Sequence, residues 1–271
     1  MMINLWKKEN IPLYKEEFGQ IPVMEPFLID SDKPLGTVII FPGGGYHHLS
    51  LENEGSKIAG FYNNNGFNAF VVTYRLSPYN HPAMLYDALR AIRYVRYHAK
   101  EYNVNPDQIA ILGFSAGGHL ASSLLTHYDF EVEAKDEIDK VSARPNGAIL
   151  CYGVLSLSSK YTHIGSRKNL LSDYPGDEYM VLSDFLSAEK HVNPETPPTF
   201  LWHTAADPVV PVSNSIDMAK ALSENKVPFE LHIYPTGGHG MGLAPQKPHV
   251  TSWAPLSAAW LKDELLFDFK E

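Results

Sequence analysis

The chain has 271 residues, of which 44% are hydrophobic and 20% charged, with a formal net charge of −9. That composition fits a soluble globular protein with a full-sized core, and it leaves no basic surface for nucleic acid or an anionic membrane. A single cysteine, Cys151, excludes an internal disulfide framework.

Met1 to Glu16 contains Lys7, Lys8 and Glu9 but no apolar h-region, and no run of 18 apolar residues occurs. The expectation is therefore a cytoplasmic protein with no membrane partner. Residues 1–20 are mixed and read as an N-terminal arm. Ile21 to Asp30 suits one or two edge strands, interrupted by Pro22 and Pro26. Thr37–Phe41 is a continuous apolar run ending at Pro42-Gly43-Gly44-Gly45, as in a strand buried on both faces. Glu54 to Asn65 has a helical pattern closed by Gly66, and Ala69–Tyr74 is a second buried strand.

Met84, Leu85, Ala88, Ile92, Val95 and Ala99 recur at spacings of three or four, the clearest amphipathic helix in the chain. It ends near Asn103, and Asn105-Pro106-Asp107 reads as a turn. Gln108–Leu112 is a strand, followed by Gly113-Phe114-Ser115-Ala116-Gly117 and a helix to about Tyr128. Asp129 to Lys140 is an acidic, solvated stretch. Gly147–Tyr152 is a strand. Gly153 to Pro198 lacks clean periodicity and reads as a lid-like insertion. Thr199–Thr204 and Phe229–Tyr234 are strands, Val212–Asn225 is a helix, and Trp253–Phe269 is a closing helix.

Strands and helices alternate, so the strands run parallel with helices on both faces, and a ligand belongs at their carboxyl ends. Ser115 follows the central strand on a turn of small residues, the local requirement of a nucleophile elbow. Three successive glycines, Gly43 to Gly45, can aim N–H groups at a ligand. A phosphate-binding loop would need Gly-Lys-Ser/Thr or G-x-G-x-x-G, and neither is present. Asp207 is the first carboxylate past Thr199–Thr204, where it equally suits a turn or helix cap. His239 lies among four glycines after the last strand.

The order Ser115, Asp207, His239 supplies a nucleophile, a carboxylate to orient the imidazole, and the base itself. The N–H of Ala116 is an oxyanion donor, and the glycine loop supplies the rest. His203 and His232 fall inside strands and His249 at a helix start, so packing explains them. Cys151 reads as a small buried apolar residue. His47 and His48 are adjacent, so their side chains diverge. No Cys/His spacing suggests a metal, and no cofactor is called for.

These segments, together with Tyr74-Arg75-Leu76 and His81-Pro82 with Asp87, resemble the α/β-hydrolase superfamily. The similarity is greatest to acetyl-esterase and acetylxylan-esterase-like enzymes related to hormone-sensitive lipase. It covers roughly residues 35 to 262. It implies an α/β-hydrolase fold over 1–271, a doubly wound, mostly parallel sheet of about eight strands, with 153–198 as a partial lid. It assigns Gly44 and Gly45 as oxyanion donors beside Ala116, and Tyr46, Phe114 and Met241 as substrate contacts. Pro42 stands where the lipase-like members carry histidine. Tyr161, His163, Tyr174 and Tyr179 of the insertion could stack on sugar faces or simply pack. The expected activity is hydrolysis of small acyl esters, such as acetylated sugars or xylo-oligosaccharides, through an acyl-enzyme. A peptidase or amidase on the same triad and a non-catalytic binding scaffold are the alternatives, and a homo-oligomer is compatible with the sequence.

Overall fold

The stretch Leu35–Phe41 is buried at every position, because it lies deep in a sheet covered on both faces. The computed structural model describes residues 2–133 and 135–271. Among the described residues the strands are β1 (Ile3–Asn4), β2 (Val23–Phe27), β3 (Leu35–Phe41), β4 (Asn68–Thr73), β5 (Val104–Phe114), β6 (Gly147–Cys151), β7 (Thr199–Thr204) and β8 (Phe229–Tyr234). They form one sheet in the order β1-β2-β4-β3-β5-β6-β7-β8. From β4 to β8 all pairings are parallel, while β1 and β2 join antiparallel at one edge. This is the α/β-hydrolase fold that the resemblance implies, with the parallel sheet expected from the alternation of elements.

The helices are α1 (Lys57–Asn64), α2 (Ala83–Tyr97), α3 (Ser115–Thr126), α4 (Ile164–Leu171), α5 (Gly176–Phe185), α6 (Ser213–Glu224), α7 (Pro248–Thr251) and α8 (Trp253–Asp263). Alternate strand residues point to opposite faces, and this divides the core in two. Ile39, Ile111 and Leu150 face α2, α3 and α6 through Leu89, Leu124 and Met218. Val38, Leu112 and Trp202 face α1 and α8 through Ile58 and Trp253. Trp202 and Trp253 stack with ring centroids 5.0 Å apart.

Four local expectations are revised. The first residues are tied down: Leu5 and Trp6 are buried, and Arg90 Nε donates to Leu5 O at 2.7 Å. The Trp6 ring lies 5.4 Å from the Arg90 guanidinium. The turn at Asn105-Pro106-Asp107 is a register shift inside β5, which pairs Val104 with Leu35 and then Ile109 with Thr37. Residues 153–198 carry α4 and α5. The last long helix stops at Asp263, and Phe267 in the tail beyond it is buried in the second core layer.

Candidate active site

β5 ends at Phe114, and Ser115 opens α3 with φ of 52°. That left-handed conformation is costly for a residue with a Cβ and marks a strained turn. The turn closes only because its neighbours lack side chains. A Cβ on Gly113 would lie 2.2 Å from Gly117 O, and one on Gly117 would lie 2.1 Å from Phe41 O. The chain therefore turns on itself against the end of β3 and lifts the serine hydroxyl above the sheet.

The loops after β7 and β8 bring two more side chains to that hydroxyl. His239 Nε2 is 2.7 Å from Ser115 Oγ, and His239 Nδ1 is 2.7 Å from Asp207 Oδ2. An ionised carboxylate only accepts, so Nδ1–H donates to Asp207 and Nε2 is left to accept the serine O–H. Asp207 Oδ1 accepts the N–H groups of Val209 at 2.8 Å and Val210 at 3.0 Å. His203 Nε2 lies 3.5 Å from Oδ2. Burial pushes the Asp207 carboxyl up, but His203, His239 and the Val210 N–H outweigh it and hold the group well below the usual carboxylate range. Such a relay can take the hydroxyl proton as the oxygen attacks and stabilise the imidazolium that forms.

The loop after β3 faces the same point. Gly44 and Gly45 have φ of 138° and 66°. Gly44 O accepts from the N–H groups of His47 and His48, and Gly43 O from that of Ser50. Those carbonyls are thus engaged within the loop, and among the described residues no backbone carbonyl accepts the Gly44 or Gly45 N–H. The Ala116 N–H belongs to the first turn of α3, where N–H groups have no intrahelical acceptor. A cavity of about 440 Å³ opens between Ser115, His239, the glycine loop and α4.

A BD-FAE family model matches residues 29–222 of the chain. The chain belongs to the BD-FAE family. It is 38% identical over 245 residues to endo-1,4-beta-xylanase B of Butyrivibrio fibrisolvens, covering 89% of this chain and 38% of that protein. It is 34% identical over 214 residues to an acetylxylan esterase of Xylanibacter ruminicola, covering 78% of this chain and 42% of that protein. The chain thus spans well under half the length of these two relatives. An acetyl ester-xyloside bifunctional hydrolase from Caldicellulosiruptor lactoaceticus has the same fold, with a TM-score of 0.92 and 46% identity. That match covers 97% of this chain and 95% of the other.

In this BD-FAE chain, none of the three expected substrate contacts lines the cavity. Tyr46 and Phe114 are 0% exposed. Tyr46 turns under its loop to bond His119, and Phe114 packs on Tyr152 and Trp253. Alternation along β5 sends the Phe114 side chain into the core while Ser115 is raised above it. Met241 packs against the second core layer and is not among the residues lining the cavity.

The cavity instead draws on His47, His48, Glu54 and Asn169, which sequence reasoning passed over, and on His163, for which it left stacking and packing both open. His47 and His48 both line it despite being neighbours, because the loop curls around Gly44. Glu54, from the wide turn before α1, also reaches it. From the insertion come His163, which caps α4 through Nδ1, and Asn169, whose Nδ2 donates to Gly45 O at 2.8 Å. Tyr174 and Tyr179 pack on the core. No periodic signal marks these positions. The one available clue was the clustering of His47, His48 and Ser50 just past the glycines.

Proposed function

We propose that this chain is a serine carboxylesterase that removes small acyl groups, acetyl foremost, from sugar or xylo-oligosaccharide esters. The observation that carries the reading is the unbroken hydrogen-bonded line from Ser115 Oγ through His239 to Asp207, in a cavity lined by Gly44 and Gly45. Ser115 Oγ attacks the acyl carbon while its proton passes to His239 Nε2. The N–H groups of Gly44, Gly45 and Ala116 receive the oxyanion. The alcohol leaves with the proton from Nε2, and a water activated by the same nitrogen attacks the acyl-serine and releases the acid.

The names of two relatives, an acetylxylan esterase and an acetyl ester-xyloside hydrolase, favour acetylated xylo-sugars as the substrate class. So does the wall of the cavity. His47, His48, Ser50, His163 and Asn169 offer hydrogen bonds to hydroxyl groups, whereas Val209 is the one large aliphatic side chain among the lining residues. A polar alcohol and a short acyl group suit that lining. Release of acetate from acetylated xylo-oligosaccharides, alongside hydrolysis of p-nitrophenyl acetate, tests the reading. Wild type should turn over both and Ser115→Ala neither. Equal rates for the two proteins would sink it.

A further inference from the structure

Glu54 is a carboxylate with 3% exposure and no cation beside it among the described residues. It sits on the π-type turn Glu52–Ser56, a rare element that is frequent at functional sites. Burying a carboxylate without a counter-charge costs several kcal/mol. Burial pushes the Glu54 carboxyl up, and its bonds to Tyr152 and Gly43 oppose that rise.

The bonds join the parts of the site. Oε2 accepts the Gly43 N–H at 2.9 Å, and Oε1 accepts the Tyr152 O–H at 2.6 Å. The Tyr152 oxygen in turn accepts the Gly242 N–H at 3.0 Å. Its ring stands edge-on to the His239 imidazole, with centroids 5.0 Å apart. The neighbouring Asn53 donates from Nδ2 to Gly240 O at 3.0 Å. Residues 53 and 54 thus grip the glycine loop with one side chain and the His239 loop with both. Gly43 is wedged at the junction. A Cβ there would lie 2.7 Å from Glu54 Oε2 and 3.0 Å from Ser115 Cβ.

We propose that Glu54 is a positioning residue. Through Gly43 on one oxygen and Tyr152 on the other, its carboxylate holds the oxyanion loop and the His239 loop in a single register over Ser115. A glutamine cannot replace it without loss. Glutamine has one accepting oxygen, whereas the site presents two donors, so either the Gly43 N–H or the Tyr152 O–H loses its acceptor. The role rests on the esterase reading, since it concerns the alignment of that reaction's groups.

The test compares wild type, Glu54→Gln, Tyr152→Phe and the double variant on p-nitrophenyl acetate, with thermal unfolding measured beside each. Misalignment by a fraction of an ångström acts on the transition state, so Glu54→Gln should lower kcat about 10- to 100-fold and leave KM within about threefold. Tyr152→Phe should lower kcat about tenfold. The double variant should match Glu54→Gln within about twofold, because both changes break one network.

Unchanged kcat in Glu54→Gln, a rise in KM alone, or losses that multiply in the double variant would each overturn the role. Should Glu54→Gln fail to fold, Tyr152→Phe decides on its own. A kcat loss with an unchanged unfolding temperature supports the role, and an unchanged kcat refutes it. Absence of ester hydrolysis by wild type would sink the esterase reading and this role together. Wild-type hydrolysis with an unimpaired Glu54→Gln would sink this role alone.

Discussion

The Tyr46 hydroxyl is 2.6 Å from His119 Nδ1, and His119 Nε2 is 2.9 Å from Leu186 O. A carbonyl only accepts, so Nε2 carries the proton and Nδ1 accepts from Tyr46. One buried imidazole therefore links the end of the glycine loop to the end of α5. Tyr46→Phe would leave Nδ1 buried without a donor, which costs about 1–3 kcal/mol. It would also free the loop that carries Gly44 and Gly45. The expectation is a lower urea midpoint together with a kcat loss of about tenfold. Retention of both values would show that the link is not needed.

His119 is one of three histidines kept neutral by burial. Burial pulls His119 and His127 down to about 4 and His81 to about 3, from an ordinary value of 6.5. Between those values and 6.5 the unfolded chain binds more protons than the folded one. Stability should thus be level above pH 6.5 and fall as pH drops towards 4, by up to about 3 kcal/mol for each such group. His127 offers a clean test. Its Nε2 is buried with no hydrogen-bond partner among the described residues, and its ring sits 4.2 Å from that of Phe185, centroid to centroid. His127→Phe removes the titration and the orphaned nitrogen while keeping an aromatic ring. Urea midpoints at pH 7.5 and 4.5 should show a shallower acid loss in this variant. The same slope as wild type would contradict the assignment.

Asp207 makes the opposite demand. Its hydrogen bonds hold it ionised throughout the working range, with Oδ2 set to accept the His239 Nδ1–H. Asp207→Asn can keep the shape but offers an N–H₂ or a weaker oxygen to that nitrogen. The favoured tautomer then places the proton on Nε2, where it cannot accept from Ser115. A kcat loss on the order of 10⁴-fold is expected, with KM for p-nitrophenyl acetate little changed. A loss below tenfold would mean that another group orients His239.

Much of this architecture was legible before any coordinates. Long apolar runs such as Thr37–Phe41 read as doubly covered strands, and the amphipathic face of residues 84–99 marks a helix laid against the core. Ser115, Asp207 and His239 could be picked out because each follows a strand, and the structure places the three within hydrogen-bonding distance. The rest depends on contacts between distant residues. Trp6 is fixed by Arg90, and Glu54 meets Tyr152 across 98 residues of chain. Neither pair leaves a periodicity. Tyr46 and Phe114 were misassigned because adjacency to a site residue in sequence does not make a side chain share its direction. In each case the backbone turns between neighbours, at φ of 66° for Gly45 and 52° for Ser115.

The glycines allow stability and catalysis to be separated. Gly44 has φ of 138°, and a Cβ there would fall 2.0 Å from His48 O. Gly44→Ala must therefore rebuild the loop whose carbonyl the His47 and His48 N–H groups share. The loop lies over the cavity and outside the strands, so the damage should fall on kcat. A loss of about 10²- to 10³-fold, the usual effect of removing one oxyanion donor, is expected. Gly60 is the control. It lies inside α1 with nothing within 4 Å of where a Cβ would stand. Gly60→Ala should raise stability by about 0.5–1 kcal/mol, because alanine loses less backbone entropy in a helix. Its kcat should equal that of wild type. Steady-state kinetics and urea unfolding of both variants check the pair. Full activity in Gly44→Ala would remove the glycine loop from the oxyanion site, and destabilisation in Gly60→Ala would contradict the open space beside α1.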